Sequence, residues 1–422
     1  MRLPVAVLLG LVLIGAAPVW TEALPSATPG EVGLSAERLE RLGEVVRREI
    51  EAGRYPGAVV LVARKGRVAY LEGFGRLDPA AGTPMPKDAI FRLYSMTKPF
   101  TSVAAMMLME EGKLRLADPV SRFLPQLAKL EVVTQSHDPV SGKAIYTSVA
   151  AERVPSIYDL LRHTSGFVYG DFTPNARVKE LYAKANVGWA DQTPAEQVER
   201  LAKVPLAHQP GTAWEYSLST DVLGRVIEAV TGVPLGRFLG ERILTPLGMV
   251  DTAFVVTADK TRRLAQPFLT DKATGKPIKL LDVTAPPKND AGGAGSAGTA
   301  MDYARFLQMM LNGGRLDGAR LLSRTSVRHM TSDHLGDIKV AMPLLTRGYG
   351  FGLGFAVRKA DGLESVPGTA GEYRWGGAAG THFWVDPKEE LVTVVMTQAL
   401  PGPPRFEDRQ LFRQMVLQAI VD

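Results

Sequence analysis

The sequence predicts an α/β domain, with an antiparallel sheet flanked by helices, into which an all-α domain is inserted. Runs of β-favouring residues lie near both ends of the chain, and apolar residues at helical spacing dominate between them. A length of 422 residues allows two or three domains. We therefore expect a sheet domain over 30–114 and 291–422 and a helical domain over 115–290, because strands from both ends of a chain can share one sheet.

The first part of the sheet domain is predicted to hold a helix and a hairpin. Residues 35–53 begin with Ser, end with Gly and carry apolar side chains at helical spacing, the pattern of an amphipathic helix. Two β-rich runs, 58–63 and 67–72, flank Arg64-Lys65-Gly66 and predict the hairpin.

A second helix is predicted over 95–112, where apolar and Met residues predominate. Pro99 restricts where this helix can begin, because only the first turn of a helix can spare an N–H. Ser95 is therefore expected at its start.

The middle of the chain, 115–290, is predicted to be mostly helical and rich in loops, and strand signals return after it. A terminal amphipathic helix closes the chain. The predicted helices lie at 158–162, 194–202, 220–231 and 405–421, and the predicted strands lie at 349–357, 382–385 and 391–397.

Composition excludes several classes of protein. Apolar residues make up 45% of the chain and charged residues 22%, which is typical of a globular protein rather than a disordered or multi-span membrane protein. The net charge of +5 is too small to indicate a nucleic-acid partner. The absence of Cys excludes disulfides, thiol catalysis and cysteine metal sites.

The N-terminus has the pattern of an export signal. Met1-Arg2 is a short positive end, 3–19 is apolar and uncharged, and Thr21-Glu22-Ala23 places small residues at a cleavage site. We expect a signal peptide over 1–23, a periplasmic or secreted protein, and no stable membrane insertion after cleavage. An uncleaved membrane anchor is the alternative, because 17 apolar residues approach the length of a spanning helix.

Ser95-Met96-Thr97-Lys98 is the first candidate for chemistry. A serine hydroxyl is a poor nucleophile until a base takes its proton, and a Lys three positions later on a helix lies on the same face. The tetrapeptide by itself is a weak signal, because Ser-x-x-Lys also occurs by chance at the solvated start of a helix.

Two competing sites are less favoured. The segment 294–298 is one residue short of a Gly-x-Ser-x-Gly nucleophile elbow, but polar turn-forming residues precede Ser296 where an elbow needs a strand. The His residues have no metal-binding spacing, so we expect no metal. His163 is interpreted as structural.

Several ordered segments give Ser95 its context. They are PMPKDAIFRLYSMTKPF, DLLRHTSGF, PGTAWEYSLSTDVLG, GGAGSAGTAMDYARF, GYGFGLGF and RWGGAAGTHFWVDP. In this order the chain, from about residue 29 to its end, resembles the serine β-lactamase and penicillin-binding-protein superfamily, in its class C-like branch, and most of all the family VIII carboxylesterases. The resemblance implies a β-lactamase/transpeptidase-like fold and no cofactor.

The resemblance also implies roles for individual residues. Ser95 matches the nucleophile, Lys98 its partner base, and Tyr216 the second proton carrier of the Tyr-Ser motif. The backbone N–H groups of Ser95 and Ala378 match the oxyanion hole, which stabilises the negative charge of a tetrahedral intermediate. The alternative for Tyr216 is an aromatic packing anchor.

The third motif departs from the superfamily's usual Lys-Thr-Gly. The chain has Trp375-Gly376-Gly377, the variant that the esterase branch resembles, and it therefore lacks a cation that could hold a substrate carboxylate there. We expect these residues and His382 to contact substrate. A core or rim aromatic for Trp375, and a hydrogen-bonded strand histidine for His382, are the alternatives.

The leading functional hypothesis is an exported serine hydrolase that cleaves small-molecule carboxylic esters through an acyl-enzyme. Alternatives in the same superfamily are a β-lactamase and a D-alanyl peptidase or amidase, and acyl transfer is a related activity. A non-catalytic peptidoglycan-binding relative is disfavoured because Ser95, Lys98 and Tyr216 are all present. A metallohydrolase is disfavoured by the missing Cys and the scattered His.

Overall fold

The computed structural model describes residues 23–271, 274–400 and 405–422. The predicted signal peptide therefore lies outside the described residues except for Ala23. Within the described residues, no helix combines the length and the apolar character needed to cross a membrane.

The chain alternates helices and strands at its two ends, and between them short helices and one hairpin are joined by long loops. The helices are α1 (Ala36–Glu51), α2 (Lys98–Glu110), α3 (Ile157–Leu161), α4 (Ala176–Lys184), α5 (Pro194–Leu201), α6 (Ser219–Thr231), α7 (Leu235–Leu239), α8 (Ala300–Leu311), α9 (Arg324–Met330) and α10 (Arg405–Leu417). The strands are β1 (Gly57–Arg64), β2 (Arg67–Asp78), β3 (Thr83–Pro84), β4 (Phe91–Arg92), β5 (Glu131–His137), β6 (Ala144–Ala150), β7 (Ala213–Trp214), β8 (Ala297–Gly298), β9 (Arg315–Leu316), β10 (Ala319–Arg320), β11 (Lys339–Val340), β12 (Tyr349–Phe351), β13 (Ala356–Arg358), β14 (Tyr373–Gly376), β15 (His382–Asp386) and β16 (Leu391–Thr397).

An eight-stranded sheet is the centre of the fold. Its strand order is β12-β13-β14-β15-β16-β1-β2-β3, and its neighbouring strands are antiparallel. Strand β1 therefore lies beside β16, which comes from the other end of the chain. The predicted antiparallel sheet assembled from both ends is confirmed.

Strand β1 is buried on both faces. Val59, Leu61 and Ala63 pack into a core shared with α2 and α8, whereas Val60 and Val62 pack into a second core shared with α1 and α10. A period of two sends alternate side chains to opposite faces, so an uninterrupted apolar run suits a strand covered on both sides.

The predicted first helix and hairpin are present. The Ser35 side chain caps α1 by accepting a hydrogen bond from the Arg38 N–H. Lys65 and Gly66 join β1 to β2 with φ angles of 53° and 74°, the left-handed geometry that a two-residue hairpin turn requires.

Two predictions about secondary structure were wrong in detail. The run 349–357 forms not one strand but β12 and β13, because Gly354 takes a φ of 104° and the chain reverses there. The region 115–290 also holds the hairpin of β5 and β6, where β-favouring residues flank a turn at 138–142. The division into two domains at 114 and 290 stays a prediction.

Candidate active site

Ser95 lies in a turn of 3-10 helix, Tyr94–Thr97, that leads directly into α2. Lys98 is the first residue of α2 and is 1% exposed, whereas Ser95 is half-buried. Lys98 Nζ lies 3.4 Å from Ser95 Oγ. Because the side chains of α2 from Lys98 to Leu108 are buried, packing fixes both residues against the core.

The residue before Ser95 has an unusual backbone. Tyr94 takes a φ of 47°, which is strained for a residue with a side chain and is over-represented at functional sites. Its hydroxyl accepts a hydrogen bond from the Leu281 N–H at 2.9 Å. This hydrogen bond fixes the side chain of Tyr94, the residue before Ser95.

Tyr216 comes from the segment between β7 and α6 and meets both Lys98 and Trp375. Lys98 Nζ lies 4.5 Å from the centre of the Tyr216 ring. The indole N–H of Trp375 donates to Tyr216 Oη at 3.2 Å. The structure thus brings together Ser95, Lys98, Tyr216 and Trp375.

Lys98 has further partners that the sequence analysis missed. Its ammonium donates to the Gly293 carbonyl at 2.7 Å and to Tyr169 Oη at 3.0 Å. The Tyr169 hydroxyl in turn donates to Asp221 Oδ2 at 3.2 Å, and the Gly293 N–H donates to Asp221 Oδ1 at 3.1 Å. Asp221 thus contacts two of the groups that hold Lys98.

Burial dominates the electrostatics of this group. Burial raises the pKa of the Asp221 carboxyl above its ordinary value, although Lys98 and the Gly293 N–H act in the opposite direction. Burial raises the pKa of the Tyr169 hydroxyl well above its usual range, and the nearby Asp221 acts in the same direction with a smaller effect. Tyr169 therefore stays protonated and can donate to Asp221.

The end of β14 approaches Ser95 through Gly377. A Cβ on Gly377 would collide with the Leu93 carbonyl oxygen, two residues before Ser95. The Gly377 N–H donates to the Thr381 carbonyl at 2.7 Å, which turns the chain at this point. Glycine is thus required for the backbone leading to Ala378 to pass this close to the turn that holds Ser95.

Two cavities, of about 490 and 670 Å³, open at Ser95. Both are lined by Ser95, Asp171, Phe172, Tyr216 and Ala378. The smaller cavity is also lined by Pro174, Met342, Pro343, Leu344, Trp375, Gly376, Gly377 and Arg409. The larger is bounded by aromatic and apolar residues of the opposite wall, which include Tyr94, Tyr182, Val187, Trp189 and Leu400. A molecule bound at Ser95 thus has room on two sides.

Arg409 modifies one expectation. The Trp375-Gly376-Gly377 motif lacks the usual Lys, but the Arg409 guanidinium from α10 donates to the Gly377 carbonyl at 3.1 Å and lines the smaller cavity. A cation is therefore present at this wall, supplied by the terminal helix instead of the strand.

Comparisons with known proteins identify the family. The Beta-lactamase family matches residues 42–417, which is most of the chain. The protein belongs to the β-lactamase family. It shares the serine β-lactamase and penicillin-binding-protein superfamily with esterases and peptidases, as the resemblance implied.

Similar β-lactamase-family proteins include esterases. Protein Rv1367c of Mycobacterium tuberculosis is 38% identical over 84% of this chain and 89% of its own length. Esterase EstB of Burkholderia gladioli is 31% identical over 90% of this chain and 96% of its own length. The structure of EstCE1, a hydrolase with promiscuous acyltransferase activity, is 28% identical, covers 90% of this chain and 98% of its own, and has a TM-score of 0.72. The chain is a serine hydrolase with a β-lactamase/transpeptidase-like fold.

His382 lies away from the cavities of this β-lactamase-family site. It is buried on β15, its Nδ1 lies 3.2 Å from the Gly380 carbonyl, and its ring stacks on Trp384. It lines neither cavity that opens at Ser95. Burial lowers the pKa of His382 to about 3, so the ring is neutral. Its position favours the hydrogen-bonded strand histidine over the expected substrate contact.

The other disfavoured candidates have structural contacts. Ser296 is buried just before β8, and its Oγ lies 2.7 Å from Thr97 Oγ1. His163 is buried with its Nδ1 3.0 Å from Ser217 Oγ, and burial lowers its pKa well below the usual value. Ser296 is thus held in the core, behind the turn that carries Ser95.

Proposed function

We propose that this serine hydrolase is exported and cleaves small-molecule carboxylic esters through an acyl-enzyme on Ser95. The observation that carries the proposal is the position of Ser95 Oγ, 3.4 Å from Lys98 Nζ at the junction of two cavities that Tyr216 also lines. A serine with an adjacent proton acceptor and room on both sides fits an ester with an acyl group and an alcohol group.

The proposed reaction has two steps. The Lys98–Tyr216 pair must first have lost one proton, so that it can accept another. Ser95 Oγ then attacks the ester carbonyl, its proton passes to this pair, and the N–H groups of Ser95 and Ala378 stabilise the oxyanion. Collapse of the tetrahedral intermediate breaks the ester C–O bond, and the pair returns the proton to the departing alkoxide. Water then attacks the acyl-enzyme and gives its proton to the same pair. The bond between Ser95 Oγ and the acyl carbon breaks, and the pair returns the proton to Ser95 Oγ as the acid is released.

Two features favour esters over amides and β-lactams. Trp375-Gly376-Gly377 lacks the Lys and Thr with which many superfamily members hold a substrate carboxylate, and Arg409, the cation present at this wall, already donates to the Gly377 carbonyl. EstB and EstCE1, which are named as an esterase and as a hydrolase, align with nearly the whole chain. A panel of p-nitrophenyl esters, nitrocefin and D-alanyl amides tests this preference. Faster turnover of nitrocefin or a D-alanyl amide than of any ester would contradict it.

Replacing Ser95 with Ala tests the nucleophile. We expect Ser95→Ala to lose at least about 1,000-fold in kcat/KM for p-nitrophenyl butyrate while keeping its thermal unfolding midpoint, because Ser95 forms the covalent bond. A fluorophosphonate should add one mass equivalent, at Ser95 in a peptide map. Retained activity, or labelling at Ser296 instead, would refute the assignment.

Acyl transfer is a second candidate function. The larger cavity gives space for an alcohol to replace water beside the acyl-enzyme, and EstCE1 is named for promiscuous acyltransferase activity. With p-nitrophenyl butyrate and added benzyl alcohol, we expect benzyl butyrate alongside butyrate. Butyrate alone across a range of alcohol concentrations would restrict the enzyme to hydrolysis.

For export, the expected observation is a mature N-terminus after Ala23 in protein recovered outside the cytoplasm.

A further inference from the structure

We propose that Asp221 is a positioning residue for the proposed catalytic pair Lys98 and Tyr216: its carboxylate orients Lys98 through Tyr169 and Gly293 and sets the pH at which the pair gains and loses its proton. This inference rests on the proposed Ser95 chemistry. Asp221 itself has no place in the bond-making steps, since it acts on Lys98 through other groups.

The first observation is the geometry around the Lys98 ammonium. It has three N–H groups and three oxygens within reach, namely the Gly293 carbonyl at 2.7 Å, Tyr169 Oη at 3.0 Å and Ser95 Oγ at 3.4 Å. Tyr169 gives its own proton to Asp221, which leaves a lone pair on its oxygen to accept from Lys98. Asp221 thereby orients the Tyr169 hydroxyl so that its oxygen accepts a hydrogen bond from Lys98.

The second observation is how the Gly293 carbonyl is held. Asp221 Oδ1 accepts the N–H of Gly293, and the hydroxyl of Thr101 on α2 donates to the carbonyl of the preceding Gly292 at 2.8 Å. The glycine-rich segment 292–298 is therefore hydrogen-bonded to α6 through Asp221 and to α2 through Thr101. This double attachment keeps the Gly293 carbonyl in place beside Lys98.

The third observation is the fit between Gly293 and Asp221. A Cβ on Gly293 would collide with Asp221 Oδ2 and lie 2.9 Å from Tyr169 Oη. Glycine at this position is needed because the Asp221 carboxylate and the Tyr169 hydroxyl occupy the space of a side chain. The contact of Asp221 with the segment thus depends on glycine at position 293.

The fourth observation is charge. Asp221 is 0% exposed, and Lys98 acts to lower its pKa, which burial raises. The titratable and charged groups around Lys98 are Tyr169 before α4, Tyr216 before α6, His163 after α3 and Asp221 on α6, with Arg225 behind Asp221 on the same helix. His163 is neutral because burial lowers its pKa. Among these groups Asp221 is the one carboxyl, and it lies one group away from the Lys98 ammonium, through Tyr169 and Gly293.

The pH dependence of Ser95 reactivity tests the proposal. The readout is the rate of fluorophosphonate labelling at Ser95 from pH 5 to 10, which does not require that an ester be turned over. In Asp221→Asn, we expect the whole profile to move to lower pH by about one to two units, because loss of a negative charge at this range makes proton loss from the Lys98–Tyr216 pair easier. We also expect the rate at the optimum to fall at least tenfold.

Asp302→Asn is the matched control. Asp302 is also a buried carboxylate that accepts one backbone N–H, from Asp251, and one hydroxyl, from Thr252, but it has no contact with Lys98. Both hydrogen bonds go to one oxygen of Asp302, which the amide oxygen of Asn can replace, so its variant should keep the wild-type pH profile. An unmoved profile in Asp221→Asn, or an equal movement in both variants, would overturn the proposal.

Tyr169→Phe keeps the proposal testable if Asp221→Asn does not fold. This variant loses a single hydroxyl, and we expect labelling at least tenfold slower because Lys98 loses an oriented acceptor. An unchanged rate would overturn the connection through Tyr169. Wild-type protein that labels at Ser95 yet hydrolyses no ester would refute the proposed esterase function and leave the Asp221 test intact.

Discussion

Two buried polar clusters of the molecule differ in the partners of their charged groups. One lies between β13, β14 and α10, where Arg413 contacts Glu364 and Glu372, both at 2.7 Å, and Arg374 contacts Glu364 at 3.2 Å. The other surrounds Lys98, whose nearest partners are a carbonyl and two hydroxyls, with Asp221 one group further away. We call them the paired cluster and, after its proposed role, the catalytic cluster.

The difference follows from what each cluster does. In the paired cluster every guanidinium meets a carboxylate directly, which compensates the cost of burial and holds α10 on the sheet. In the catalytic cluster a direct ion pair would fix the proton on Lys98. Neutral acceptors with a carboxylate behind them orient the amine and leave its proton able to move.

The largest expected effect distinguishes the two clusters by whether a substitution lowers activity or lowers the free energy of unfolding. Lys98→Met should lower kcat/KM for p-nitrophenyl butyrate at least about 1,000-fold, since it removes part of the proposed proton-transfer pair. Its loss of stability should be smaller than that of Arg413→Met, because burial raises the pKa of Asp221 and this carboxyl can bind a proton once Lys98 is gone. Arg413→Met should instead cost about 3–5 kcal/mol of unfolding free energy, because it leaves buried carboxylates uncompensated. Kinetics and urea unfolding of both variants measure this. A large stability loss in Lys98→Met would contradict the distinction.

A smaller effect is expected from Gly293→Ala. The added methyl would displace Asp221 and Tyr169, so we expect a decrease in kcat/KM of about 10- to 100-fold, since misplacement of a proton-transfer group by about 1 Å has this effect. Gly240→Ala is the control, because nothing lies within 4 Å of a Cβ at Gly240. Equal activity of the two variants would show that the catalytic cluster tolerates the displacement.

The smallest effect concerns acid stability. Burial raises the pKa of Glu364, but Arg374 and Arg413 outweigh it and hold this pKa below the ordinary value. A lowered pKa in the folded state means that the contribution to stability is complete above the unfolded pKa of about 4.3 and is lost as pH falls through the folded value. Glu364→Gln should therefore flatten the decline of stability below about pH 4.3, measured by urea unfolding at several pH values. A decline as steep as that of the wild type would exclude Glu364 as its source.

Short-range features of the fold were predictable from the sequence. Lys65-Gly66 between two β-rich runs specified the β1–β2 hairpin. Pro99 limited the start of α2, which begins at Lys98 rather than at Ser95, directly after the 3-10 turn that holds Ser95. The sequence did not predict the hairpin of β5 and β6, because it interrupts a region whose other periodic segments are helical.

The catalytic cluster was predictable only in part. Ser95, Lys98 and Tyr216 stood in motifs with recognisable order. Asp221 looked like an ordinary residue of a predicted helix, and Tyr169 lay in a loop without periodicity. Their role depends on α6 packing beside α2 and on the glycine segment crossing both, which are contacts between distant parts of the chain that local patterns do not encode.

The pairing of β1 with β16 has a consequence for how the protein is made. Arg64 faces Leu391 in this pair, so the apolar strand β1 has one open edge until nearly the whole chain has left the ribosome. Contacts between residues this far apart in sequence form slowly, and an open apolar edge invites pairing with other chains. Chains that end before β16 should therefore aggregate instead of folding, and intact nascent chains should depend on protection of β1 until synthesis is complete.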